Sequence, residues 1–221
     1  MLGKDDGNLP PCDLVSLSET LRVCNMEMVL LNADGPRAIV DTIAQGEAFV
    51  CSAQYAFSFR ARLTLPASWC LLGYIHHTDE SSWCQGLSLS TDTAVTLLPD
   101  DSSEFMFAAG SRFTLMMLPL QQLREKFSQM DPRPSAARSR PHPLFRLTDP
   151  VAAQRLRSLY EATRREITEP LSTCATEHFS SPPGIDMDAL LEAHISASLA
   201  VTADDLPNCS RSRRKHYLIV Q

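Results

Sequence analysis

The sequence predicts an α+β chain, with a β-barrel or β-sandwich in the first 130 residues and helices after it. Three observations carry this expectation. Short runs of β-branched, aromatic and long aliphatic residues recur through the first half, and turn-forming residues separate them. Past Pro119 the apolar period lengthens from about two residues to about 3.6. Finally, four of the fifteen prolines fall between Asp131 and Pro143, where no helix can continue.

The expected strands are residues 26–31, 37–43, 55–60, 69–76, 86–91, 94–98, 104–108 and 112–118. Tyr55-Ala-Phe57-Ser-Phe59-Arg60 alternates apolar and polar residues, the pattern of a half-buried strand. Turn residues mark the joints at 33–36, 78–82, 99–103 and 109–110. This many short strands in about 110 residues suits a sandwich or barrel with a single core.

A short helix is expected over Leu120–Met130, with Pro119 in its first turn, where the missing N–H is no loss. A second opens at Thr148-Asp149-Pro150, with Asp149 as cap and Pro150 at the first position. Ala152, Leu156, Leu159, Tyr160, Thr163 and Ile167 then form one apolar stripe. Residues 170–184 read as a loop. Asp186 opens a third helix, with Met187, Leu190, Leu191, His194, Ile195 and Ser198 on one side. Residues 203–212 read as a polar linker, and 213–221 as the first turns of a further helix. The expected division is 1–130 (β unit and short helix), 131–202 (proline-rich loop and two helices) and 203–221.

Eight basic residues face fifteen acidic ones up to Met130, a net of −7, and the remainder carries +1. The acidic total is a poor composition for a free-standing nucleic-acid binder. The polar, acid-rich N-terminus reads as neither secretory signal nor transit peptide, and no apolar run approaches the roughly 20 residues that span a bilayer, so a cytoplasmic protein with no membrane partner is expected. Seven cysteines with no close pair read as idle thiols rather than a zinc or redox site.

Catalytic motifs are absent. There is no GxSxG, no phosphate-cradling loop and no GxGxxG. His76 and His77 are adjacent, so on a strand they point to opposite faces and cannot form a pair of inward metal ligands. No enzyme activity, metal or cofactor is expected. Aromatic residues are more suggestive. Most should be core, but Phe57, Phe59, Trp69, His76, Trp83 and Phe105 are candidates for lining a small-molecule pocket.

The basic cluster Arg211, Arg213, Arg214 and Lys215 leads into His-Tyr-Leu-Ile-Val-Gln221. Arg213-Arg-Lys-His-Tyr-Leu-Ile-Val-Gln221 resembles the opening of the DNA-binding domain of AraC-type bacterial transcription regulators. The upstream order, with Trp83-Cys-Gln-Gly-Leu-Ser-Leu-Ser90 followed by a strand, an acidic turn and residues 105–118, is similar to the effector domain of the ethanolamine-operon-regulator-like subgroup. The resemblance covers most of the chain in architecture, but only the last nine residues are sharply motif-like.

That resemblance implies a cupin-like effector domain, a homodimer, and promoter DNA contacted by two helix-turn-helix units that would follow Gln221. Arg211, Arg213, Arg214 and Lys215 would be a basic linker next to the DNA. Leu190, Leu191, His194, Ile195 and Leu199 could bury against a two-fold mate, or equally against the chain's own β unit. The family's base-reading and effector-contacting residues have no counterparts that transfer to this chain. The alternatives left open are a stand-alone cupin-like binding module or metal enzyme, and a regulator that works through a protein partner.

Overall fold

Strand β5 (Trp69–His77) is buried along almost its whole length, and the fold follows from what covers its two faces. A computed structural model of the chain describes residues 26–31, 37–99, 102–131, 143–168, 185–202 and 206. β5 lies inside a six-stranded sheet ordered β11 (Leu144–Phe145), β8 (Thr93–Leu97), β5, β10 (Arg112–Pro119), β3 (Ala48–Tyr55) and β2 (Ala38–Gln45). A five-stranded sheet stacks on one face, ordered β1 (Met26–Leu31), β4 (Ser58–Leu63), β9 (Ser103–Phe107), β6 (Trp83–Cys84) and β7 (Leu87–Ser88). Three helices, α1 (Leu120–Met130), α2 (Pro150–Thr168) and α3 (Met187–Leu199), cover the other face. All described strand pairings are antiparallel.

The side-chain alternation of a strand explains the two cores. On β5, Leu71 and Ile75 enter the core between the sheets, while Cys70, Leu72 and Tyr74 enter the core beneath the helices. β10 divides likewise, with Phe113 and Met117 on one side and Met116 and Leu118 on the other. Gly73, between Leu71 and Ile75, leaves room for the Leu115 side chain of β10: a Cβ there would stand 2.7 Å from Leu115 Cδ2.

The architecture is α+β, as the patterning predicts, but neither sheet closes into a barrel. Among the described residues both keep free edges, β1 and β7 in one and β11 and β2 in the other. Strands β6, β7 and β11 have two residues each, too short to continue the hydrogen-bond ladder around a circle.

Helix starts follow their local chemistry. Asp149 accepts from the Val151 and Ala152 amides at 3.4 and 3.0 Å, and Pro150 opens α2. Asp186 accepts from the Ala189 amide at 2.9 Å and caps α3. The Leu120 amide, which Pro119 cannot cap, donates to the Ser68 carbonyl at 2.7 Å. Leu156, Tyr160, Thr163 and Ile167 are the buried stripe of α2, on the expected face.

Several expectations needed correction. Residues 55–60 are not one strand: Tyr55 ends β3, the chain bends at Ala56-Phe57, and β4 begins at Ser58 in the opposite sheet. The alternation misled because Tyr55, Phe57 and Phe59 all reach the same core from either side of that crossing. β3 lacks the alternating pattern of a half-buried strand, because it is buried on both faces and carries the small residues Ala48, Cys51, Ser52 and Ala53. Residues 86–91 contain only the second arm of a hairpin. Its loop, Gln85-Gly86, has φ of +50° and +75°, the left-handed pair that joins two strands in a tight turn.

The helical stripe suggested for a two-fold mate is occupied within the chain. Leu190, Leu191, His194 and Ile195 are each about 1% exposed, and only Leu199 is half-buried. They fill the core shared by α1, α2, α3 and the six-stranded sheet. The residues of the proline-rich loop between 132 and 142, the loop 169–184, and the basic cluster Arg211, Arg213, Arg214 and Lys215 lie outside the described residues. Among the described residues, no helix is long and apolar enough to cross a membrane.

Candidate ligand cavity and its link to the helices

Between the two sheets lies an apolar cavity of about 70 Å³. Four of its walls are aromatic rings in closed contact. Tyr55 meets Phe59 at 4.7 Å, Phe59 meets Phe107 at 5.4 Å, Phe107 meets Phe113 at 4.8 Å, and Phe113 returns to Tyr55 at 5.7 Å between ring centroids. These separations are those of offset or tilted aromatic pairs. Leu71 and Ile75 of β5, Val95 of β8 and Met117 of β10 form the floor. Met26, Val40, Phe49 and Leu115 also line it but are partly exposed, so the cavity opens towards the edge strands β1 and β2.

Two sequence candidates, Phe59 and Phe105, line this cavity. Phe57 lies in the same core and packs edge-on against Tyr55, but is not part of the lining. Trp69 is half-buried at the start of β5 and packs on the outside of that core. Trp83 points to the outer face of the five-stranded sheet, where the Arg60 guanidinium lies 5.8 Å from its ring centroid. Its neighbour Cys84 faces inward, as alternation requires. Ile75, Phe113 and Met117 line the cavity in addition to the expected residues. Strand parity could have found them, because Phe113 and Met117 share a face of β10, as Leu71 and Ile75 share one of β5.

His76 lies on the other side of the sheet, under α2. Its Nε2 is 2.8 Å from Thr114 Oγ1 on β10, and its Nδ1 is 3.0 Å from Glu161 Oε1 on α2. Burial pushes the imidazole down to about 4, against the pull of Glu161, so it is neutral at pH 7. Glu161 also accepts from Arg164 Nε at 3.0 Å. His77 is exposed, so the two histidines do point to opposite faces. Among the described residues, no three His, Cys, Asp or Glu side chains gather in a way that could hold a metal. Buried Cys70 and Cys84 have their thiols pushed up to about 12 by desolvation, which makes them inert.

Further contacts tie the helices to the same sheet and to each other. His194 of α3 is held by Thr96 Oγ1 of β8 at 2.9 Å and by the Tyr160 hydroxyl of α2 at 2.8 Å. The Tyr160 ring stacks on Tyr74 of β5, 5.1 Å between centroids and 15° between planes. The Tyr74 hydroxyl donates to Asp92 Oδ1 at 3.0 Å, and Arg157 of α2 pairs with the other oxygen of that carboxylate. A neutral imidazole can satisfy both hydroxyl partners, donating to one and accepting from the other. Tyr74 therefore holds α2 through Tyr160, and His76 lies against Glu161 of the same helix, while Leu71 and Ile75, on the same strand, face the cavity.

Asp92 holds its carboxylate in place at φ +67°, a conformation Asp tolerates and Ala does not. Asp92→Ala is expected to destabilise the fold by about 2–4 kcal/mol, from the lost bond to Tyr74 and the strained backbone. Arg157 is largely exposed and adds little to that figure. Asp92→Gly, free of the strain, should lose less. Denaturant midpoints of the two variants measure the difference, and equal losses would remove backbone strain from the account.

The comparisons with known proteins speak to the fold. No family model matches the chain. No curated protein matches it either. Among solved structures, the AraC-like transcriptional activator CuxR matches at 12% identity over 95% of this chain and 74% of that one, with a TM-score of 0.58. Bacillus subtilis oxalate decarboxylase matches over 66% of this chain and 41% of its own, at 11% identity and a TM-score of 0.18, too low to bear on the site. At this identity the likeness is one of architecture, and the chain shares the fold of an AraC-like transcriptional activator.

Proposed function

We propose that this chain is the effector-sensing part of an AraC-type bacterial transcription regulator and has no catalytic role. The observation that carries the proposal is the two-faced central sheet. One face lines an apolar cavity, and the other is tied to α2 through Tyr74 stacked on Tyr160 and to α3 through Thr96 bonded to His194. A molecule in the cavity displaces the inner side chains of β5, β8 and β10, and the same strands carry that change to α2 and α3. Such a ligand acts only to the extent that it binds one arrangement of helices better than another.

The likeness of fold to an AraC-like activator and the sequence resemblance around Arg213–Gln221 support this reading. On it, the protein works as a homodimer on promoter DNA. DNA contact falls to helix-turn-helix units following Gln221, with Arg211, Arg213, Arg214 and Lys215 as the basic approach to them. The dimer surface is then formed by residues other than Leu190, Leu191, His194 and Ile195, which the chain's own core occupies.

Filling the cavity tests the proposal. Ala61, 3% exposed and part of the lining, can be changed to Leu in the natural gene, and output from the promoter upstream of that gene measured. The expected result is a changed output with the protein still folded and present at wild-type level. Unchanged output would sink the sensing role.

A further inference from the structure

The cavity's lining says which chemistry it accepts. We infer that its ligand is a small, uncharged, single-ring aromatic molecule, seated against Tyr55, Phe59, Phe107 and Phe113; this rests on the sensing role proposed above. Three observations support the assignment.

The first is polarity. Among the described residues no charged side chain lines the cavity, and Tyr55 and Cys51 bring the hydroxyl and the thiol of that lining. The backbone amides and carbonyls of the inner lining strands β3, β4, β5, β9 and β10 are committed to the sheet ladders. A carboxylate, an ammonium or a sugar would give up its water for walls that return almost no hydrogen bonds. A hydrocarbon ring gives up nothing of the kind.

The second is shape. The four rings already contact one another in a closed cycle, so a fifth ring entering that cycle gains tilted or edge contacts on several sides. The third is size. The cavity measures about 70 Å³, roughly half of the ~150 Å³ of an apolar cavity known to take benzene. Even one ring therefore has to project through the partly exposed rim of Met26, Val40, Phe49 and Leu115 or push side chains aside, and a fused-ring or sugar-sized molecule is excluded by a wider margin.

Toluene, benzoate and glucose are the probes, and the methionine methyls, observed by NMR in the whole chain, are the readout. Met117 faces the cavity and Met116, its neighbour, faces the helices. Toluene is expected to shift the Met117 methyl saturably and more than that of Met116, while benzoate and glucose leave both in place. Ala61→Leu should weaken toluene binding at least tenfold. Val95→Ile, a smaller addition to the same lining, replaces it if Ala61→Leu fails to fold.

The inference is overturned if toluene gives no saturable shift, if benzoate or glucose binds more tightly, or if toluene binding is unchanged in the filled variant. Its failure is separable from that of the sensing role. Toluene binding with unaltered promoter output keeps the ligand class and removes the sensing role. Altered output in Ala61→Leu without toluene binding does the reverse.

Discussion

Leu191→Asp is expected to abolish the folded state, not to turn a folded dimer into folded monomers. Leu191 is 1% exposed, in the core shared by the helices and the central sheet. Truncating a buried leucine to alanine already costs about 2–5 kcal/mol. Aspartate adds the desolvation of a carboxylate with no cationic partner, which costs more than a lost hydrogen bond. Together these approach the whole stability of an ordinary domain, about 5–15 kcal/mol. The variant should show no cooperative thermal transition, or one lowered by at least about 10 °C. Ile195→Asp, equally buried on the same helix, should behave alike. Circular dichroism during heating, with light scattering for mass, decides the matter. A well-folded monomer from either variant would return this stripe to an intermolecular surface and contradict the packing described above.

That stripe shows where the sequence ceases to be informative. An apolar helix face tells that something covers it, and its spacing gave α3 its start at Asp186 and its inward side correctly. The identity of the cover is a tertiary fact. Leu190 and Ile195 would show the same pattern whether they met a partner or the chain's own core. His194 was the available hint, since a histidine in an apolar stripe needs fixed hydrogen-bond partners, and Thr96 and Tyr160 supply them within the chain.

The cavity was legible to a similar degree. Aromatic richness in the β half pointed to Phe59 and Phe105. His76 was misplaced because a residue's side of the sheet depends on register with β10 and on where α2 lands, neither of which composition reveals. Trp83 was misplaced by one position of alternation: Cys84 takes the inner side. Strands covered on both faces lose the alternating signal, so β3 and much of β5 read only as apolar.

The buried histidines set the second large expected effect, a loss of stability on mild acidification. Burial pushes His194 down to about 3 and His76 down to about 4, from an ordinary value of 6.5. Both are neutral in the folded state, whereas the unfolded chain takes up a proton on each once the pH falls below 6.5. The unfolded state therefore binds more protons in this range, and stability falls as pH falls. Well above pH 6.5 little is lost. Between pH 7.5 and 5.5 each histidine costs about 1.4 kcal/mol, so the pair costs roughly 3 kcal/mol.

The groups facing His194 are the hydroxyls of Thr96 and Tyr160 and the ring of Phe145, and none of these offers a charge to hold a proton on the imidazole. His76 differs, because Glu161 stands 3.0 Å away and partly opposes burial, while Arg164 and Arg112 work against protonation. His194 should therefore be the larger contributor towards the acid end. The check is a set of urea midpoints at pH 7.5, 6.5 and 5.5 for the wild type and for His194→Asn. The variant should start less stable, having lost one of its two hydroxyl partners. From there it should lose only about half as much stability as the wild type over the same interval. A wild type whose midpoint does not move between pH 7.5 and 5.5 would mean that water or a charged group reaches these imidazoles. The polar grip of the helices on the central sheet would then be looser than the packing of Tyr74, Tyr160 and His194 describes.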